Sequence, residues 1–108
     1  MVEIPSEVIE LIKKFIETLK KDKIQIEKVI LFGSYAKGNY HKDSDIDLAI
    51  ISPDFKESEY IKNMSSLLLK AAEIKADIQT IPFSIEEYYE PIGIMEEILK
   101  TGIELQVA

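Results

Sequence analysis

The sequence contains no cysteine and no arginine, and all thirteen of its basic residues are lysine. Without thiols there is neither a disulfide framework nor a thiolate metal site. Without guanidinium groups, fork-like bidentate clamps on phosphate are unavailable. Long apolar runs are missing as well, since none approaches the ~20 residues that a bilayer requires. The start, Met1-Val2-Glu3-Ile4-Pro5, lacks the basic and apolar regions of a signal peptide. The expected setting is therefore soluble and cytoplasmic, with no membrane partner. No repeat, low-complexity segment or linker interrupts the 108 residues, which correspond to one domain spanning 1–108 with a single two-layer core.

What is present is an ordinary globular balance, 46% hydrophobic and 31% charged, with a net charge of -7. Such a surface repels a polyanion, so direct nucleic-acid binding is not expected, and a basic protein partner is favoured.

Hydrophobic periodicity divides the chain. Val8, Ile9, Leu11, Ile12, Phe15, Ile16 and Leu19 recur at helical spacing over residues 6–21, with Ser6 as the expected N-cap. Val29-Ile30-Leu31-Phe32 reads as a strand covered on both faces and stopped by Gly33-Ser34. Ile46, Leu48 and Ile50 alternate with Asp45, Asp47 and Ala49 in a second strand, ended by Ser52-Pro53-Asp54. Residues 57–73 give a second helix with Tyr60, Ile61, Met64, Leu67, Leu68 and Ala71 as its inward stripe. Ala76 to Ile81 give a third strand closed by Pro82, and Pro91 opens a helix that Gly102 terminates. The tail Ile103-Glu104-Leu105-Gln106-Val107 alternates as a short last strand or an extended contact segment. Each helix has one apolar stripe that needs a sheet face. The expected class is therefore α/β (α+β), a small mixed β-sheet with helices packed mainly on one face.

The stretch Gly33 to Asp47 carries the chemistry. A Gly-Ser turn after a strand, followed by Tyr35-Ala36-Lys37, can start a short helix whose free N–H groups attract phosphate. Asp45 and Asp47, at i and i+2 on a strand, project on one side with Cα atoms ~7 Å apart. Their oxygens can converge on hard cations such as Mg²⁺, and paired ions ~3.5–4 Å apart serve phosphoryl and nucleotidyl transfer. Asp77, at the start of the third strand, is the available third carboxylate. Two competing motifs fail. A P-loop requires Lys-Ser or Lys-Thr where Asn39-Tyr40 stands, and an EF-hand loop requires glycine where Leu48 stands. His41 reads as a solvated loop residue, while Tyr35 and Tyr40 serve equally as loop packing or as platforms for a base.

Gly33-Ser34, ten residues, then Asp45-Ile46-Asp47 resembles the signature of the minimal nucleotidyltransferases of the DNA polymerase β superfamily. Phe32-Gly33-Ser34-Tyr35-Ala36 and Ser44-Asp45-Ile46-Asp47-Leu48 resemble it too. The resemblance implies a polymerase-β-like nucleotidyltransferase fold in which Gly33 and Ser34 hold the triphosphate of ATP. It implies that Asp45 and Asp47 bind two Mg²⁺ ions, and that Asp77 binds one and helps to activate the acceptor hydroxyl. Lys37 stands where the family often has arginine, which preserves phosphate attraction but loses the fork. Among short members, the chain looks like the antitoxin of HEPN–MNT toxin–antitoxin modules. That likeness implies transfer of AMP to a tyrosine of a cognate HEPN ribonuclease toxin. The alternatives are a non-catalytic antitoxin that neutralises by contact, and transfer to a small molecule or RNA.

Overall fold

A computed structural model describes residues 3–106. Helix α1 (Ser6–Lys21) is followed by strand β1 (Lys28–Phe32), the one-turn helix α2 (Ser34–Lys37) and strand β2 (Ile46–Ile51). A single 3-10 turn at Glu57–Glu59 leads into α3 (Tyr60–Ala71), then β3 (Ile78–Phe83), α4 (Ile85–Tyr89), α5 (Ile94–Thr101) and β4 (Ile103–Leu105). The sheet is mixed, in the order β3-β2-β1-β4. β1 lies antiparallel to both β2 and β4, whereas β2 and β3 run parallel through the crossover helix α3.

Side-chain alternation splits the core into two layers. Val29 and Leu31 of β1 with Ile46, Leu48 and Ile50 of β2 face α1 and α3, where Ile12, Phe15, Leu19 and Leu67 are buried. Ile30, Ala49 and Ile51 face the other way, onto Met95 and Ile98 of α5 and Phe83. The two long helices thus share one sheet face, and the shorter α4 and α5 cover part of the second. Lys28 Nζ lies 2.8 Å from Glu104 Oε1, and the Tyr88 hydroxyl donates to Glu104 Oε2 at 3.2 Å, tying α4 to the β1–β4 edge.

Several local expectations are corrected. Ser6 is the first residue of α1 and Pro5 occupies the cap position, so no side chain caps this helix. Pro82 lies within β3 and does not end it. The strand is at the sheet edge, where a missing N–H costs no ladder bond if it faces away from β2. Pro91 precedes α5, which begins at Ile94 after Gly93 at φ 61. The inward stripe of α3 runs through Asn63, Leu67 and Ala71, while Tyr60, Ile61 and Leu68 are exposed. Asn63 is inward because its Nδ2 donates to the Lys56 carbonyl at 3.0 Å, pinning the turn before the helix. Helix α4, absent from the periodicity reading, is nucleated by a capping box. The Ser84 hydroxyl accepts from Glu87 N–H at 3.1 Å, and the Glu87 carboxylate accepts from Ser84 N–H at 2.9 Å. The tail pairs with β1 as β4 up to Leu105; Val107 lies outside the described residues.

Candidate active site

The antiparallel register of β1 and β2 explains why the Gly-Ser and Asp-x-Asp pairs belong together. Phe32 pairs with Asp47, so the residue after Phe32 meets the Asp47 side chain on the second sheet face. Gly33 adopts φ 74 and ψ -152, a region open essentially to glycine alone. A Cβ placed on it would collide with Asp47 Oδ2 and lie 3.0 Å from Asp47 Cγ. The glycine is therefore required twice, by its backbone angles and by the carboxylate that occupies the space of its missing side chain.

Beyond Gly33 the chain turns through α2, with the Lys37 N–H donating to the Gly33 carbonyl at 3.1 Å. The first N–H groups of such a turn have no intrahelical acceptor. Gly38, in the left-handed conformation at φ 81, closes it. Tyr35 is buried, and its ring stacks on Tyr40 with centroids 4.6 Å apart, so these aromatics pack the loop against α1. His41 also acts within the loop. Its Nδ1 accepts from Asp43 N–H at 3.2 Å, its own N–H donates to Ser44 Oγ at 2.8 Å, and Ser44 N–H donates to its carbonyl at 3.0 Å. This turn delivers the chain to Asp45 in a fixed direction. In the sequence Ser44 stands out only as the first residue of Ser44-Asp45-Ile46-Asp47-Leu48; its role in holding the turn comes from the fold.

Asp45 is exposed and Asp47 is half-buried. Burial first, and the neighbouring charge of Asp45 second, push the Asp47 carboxyl above its ordinary value of 3.8. The two carboxylates are thus close enough to repel, on a surface that hydrates one of them poorly. An all-oxygen pair in this condition suits a hard cation, which would offset both penalties. Asp77 stands at the head of the adjacent parallel strand. Its carbonyl accepts from Ile46 N–H at 2.8 Å, and Ile46 pairs with Ile78, so its backbone borders that of Asp45. Its side chain is exposed, and among the described residues no group of three or more His, Asp or Glu side chains is arranged to hold a metal ion. The structure brings Asp45, Asp47 and Gly33 together, places Ser34 at the start of α2 beside them and Lys37 exposed at its end, and leaves Asp77 at the margin.

The comparisons agree with this geometry. The pattern of the family described as "Nucleotidyltransferase domain" matches residues 12–101. A Methanocaldococcus jannaschii protein classed as a protein adenylyltransferase, MJ0141, is 35% identical over 105 residues, covering 92% of this chain and 99% of that one. A Sulfolobus solfataricus crystal structure described as a nucleotidyltransferase superposes with a TM-score of 0.69 at 22% identity, over 91% of this chain and 78% of the other. The MNT antitoxin complex with a tri-AMPylated HEPN toxin from Shewanella oneidensis gives a TM-score of 0.55 at 17% identity, over 94% of this chain and 73% of its counterpart. The fold is that of the nucleotidyltransferases, and the chain belongs to the nucleotidyltransferase domain family.

Proposed function

We propose that this protein transfers AMP from ATP to a hydroxyl of a partner protein, a tyrosine of a HEPN-type toxin, and thereby acts as its antitoxin in the cytoplasm. The observation that carries the reading is the packing of the Asp47 carboxylate against Gly33. It couples a phosphate-binding turn to a pair of acidic ligands in one rigid hairpin. The protein acceptor is favoured by the net charge of -7, which repels RNA, and by the similarity over nearly its full length to a chain classed as a protein adenylyltransferase.

In this reading the N–H groups at the start of α2 and the Ser34 hydroxyl hold phosphate oxygens, and Lys37 adds positive charge from the end of the same turn. Asp45 and Asp47, with Asp77 from the next strand, would hold Mg²⁺, which supplies compensation for charge on the phosphates. The acceptor oxygen attacks the α-phosphorus in line. The bond from that phosphorus to the bridging oxygen of the β-phosphate breaks, and pyrophosphate leaves. The acceptor proton passes to Asp77.

The test is to incubate the protein with a purified HEPN-type toxin, the proposed partner, and ATP carrying label on either the α- or the γ-phosphate. Label from the α position on the toxin, none from the γ position, and no label without Mg²⁺ are expected. Label from the γ position, or none from either, would refute the proposal.

A further inference from the structure

The register of β2 and β3 sets a further polar side chain at the corner of the site. Ile46 pairs with Ile78, which puts Asp77 one step back beside Asp45, and Asp47 pairs with Gln79. Residues paired across strands share a sheet face with backbones ~4.8 Å apart, and successive rows on that face lie ~7 Å apart along the strands. Asp45 with Asp77, and Asp47 with Gln79, therefore form two polar rows on the second face. Phe32 pairs with Asp47 from the other side and extends the second row onto β1. The next row is different in kind, since Ile30, Ala49 and Ile81 belong to the apolar layer under Met95 and Ile98 of α5. Polar chemistry on this face thus ends at Asp47 and Gln79. Gln79 is the one exposed position in β3, whereas Ile81 is half-buried and Phe83 buried beyond it on the same face. Its amide offers two N–H donors and one carbonyl acceptor, and adds no charge beside the aspartates.

Sheet order decides which reactant this amide meets. The turn at Gly33 and Ser34 follows β1, Asp45 and Asp47 stand at the head of β2, and Asp77 and Gln79 stand at the head of β3 on the far side of β2 from β1. In-line transfer sets the attacking and leaving oxygens on opposite sides of the α-phosphorus. With pyrophosphate leaving on the β1 side, the acceptor arrives on the β3 side. We propose that Gln79 positions the acceptor hydroxyl. Its amide N–H donates to the acceptor oxygen and aims a lone pair of that oxygen at the phosphorus, while the hydroxyl proton faces Asp77. No bond to Gln79 forms or breaks in the transfer, so its contribution is orientation alone. The inference rests on the adenylyl-transfer reading and adds to it a residue outside the Gly-Ser and Asp-x-Asp pairs.

The experiment measures AMP transfer from ATP with Mg²⁺ to a purified HEPN-type toxin by wild type, Gln79→Met, which keeps the length of the side chain without its donors, and Gln79→Ala. Because Gln79 is exposed, both variants should fold and melt close to wild type. The kcat is expected to fall about tenfold in each, the loss of one hydrogen bond. KM for the toxin and the calorimetric affinity for ATP stay at their wild-type values, since orientation and not binding is lost. The ratio of rates with ATP and with its α-thiophosphate analogue also stays unchanged, because the amide touches the acceptor and not a phosphate oxygen. A fall in kcat with an altered ratio would put the amide on the α-phosphate and overturn the proposal. A fall in ATP affinity, a rise in KM for the toxin at unchanged kcat, or no change in any value would overturn it equally. If wild type transfers no AMP, the adenylyl-transfer reading falls and takes this inference with it. If wild type transfers AMP and both variants match it, the inference alone falls.

Discussion

Replacing Gly33 with alanine tests the coupling at the heart of the site. Two penalties follow from the geometry. An alanine at φ 74 and ψ -152 occupies a region essentially reserved for glycine, at a cost of about 1–3 kcal/mol. The new methyl group also meets the Asp47 carboxylate, and forcing that group aside costs a further ~1–3 kcal/mol. The expected loss is about 3 kcal/mol or more, on the order of 12 °C in melting temperature for a domain of this size. The second penalty can be isolated by a double-mutant cycle with Asp47→Ala, which removes the atoms that the methyl group meets most closely. Urea unfolding of the four proteins should show Gly33→Ala costing at least ~1 kcal/mol less in the Asp47→Ala background than in wild type. Strict additivity would show that Asp47 does not fill the space beside Gly33, and the explanation of the Gly-Ser to Asp-x-Asp spacing would fail.

Two further predictions concern stability. Because burial and Asp45 raise the Asp47 carboxyl above 3.8, the folded state holds that proton more tightly than the unfolded chain, so ionised Asp47 opposes folding at neutral pH. Asp47→Asn should then stabilise the protein at pH 7, because burial first and Asp45 second penalise the charge that it removes. The gain should shrink as pH falls through the raised value and vanish below 3.8, as read by thermal melts across that range; a gain that persists at lower pH would contradict it. Ser84→Ala removes the capping box of α4 and should cost about 1 kcal/mol in chemical denaturation, while transfer activity stays unchanged, because Ser84 follows the far end of the parallel strand from Asp77.

Much of this architecture was legible because its signals are local. The alternation in Ile46 to Ile51 and the apolar run before Gly33 gave β2 and β1, and the stripe from Val8 to Leu19 gave α1. The spacing from Gly33 to Asp47 foretold their contact, since strand register converts that spacing into proximity. What was misread depends on neighbours that no local pattern displays. Pro82 belongs to β3 because the strand lies at an edge, a fact of topology. Asn63 faces inward because the Lys56 carbonyl needs a donor, and Ile61 faces outward because nothing in the described fold covers that side of α3. Helix α4 did have a signal, the Ser84 to Glu87 spacing, which periodicity overlooks in an element of five residues. The roles of His41 and Ser44 came from hydrogen bonds within a turn, and polar loop composition alone does not distinguish such bonds from solvation.

The proposed adenylyl transfer to a protein partner depends on Asp45 and Asp47 together. It is read from the intact mass of a purified HEPN-type toxin after incubation with ATP, Mg²⁺ and either wild type or the Asp45→Asn, Asp47→Asn double variant, scored beside the toxin's ribonuclease activity. Wild type is expected to add the mass of whole AMP groups and to silence the ribonuclease, while the double variant does neither. A toxin silenced equally by both proteins, with no added mass, would refute adenylyl transfer and leave neutralisation by contact in its place.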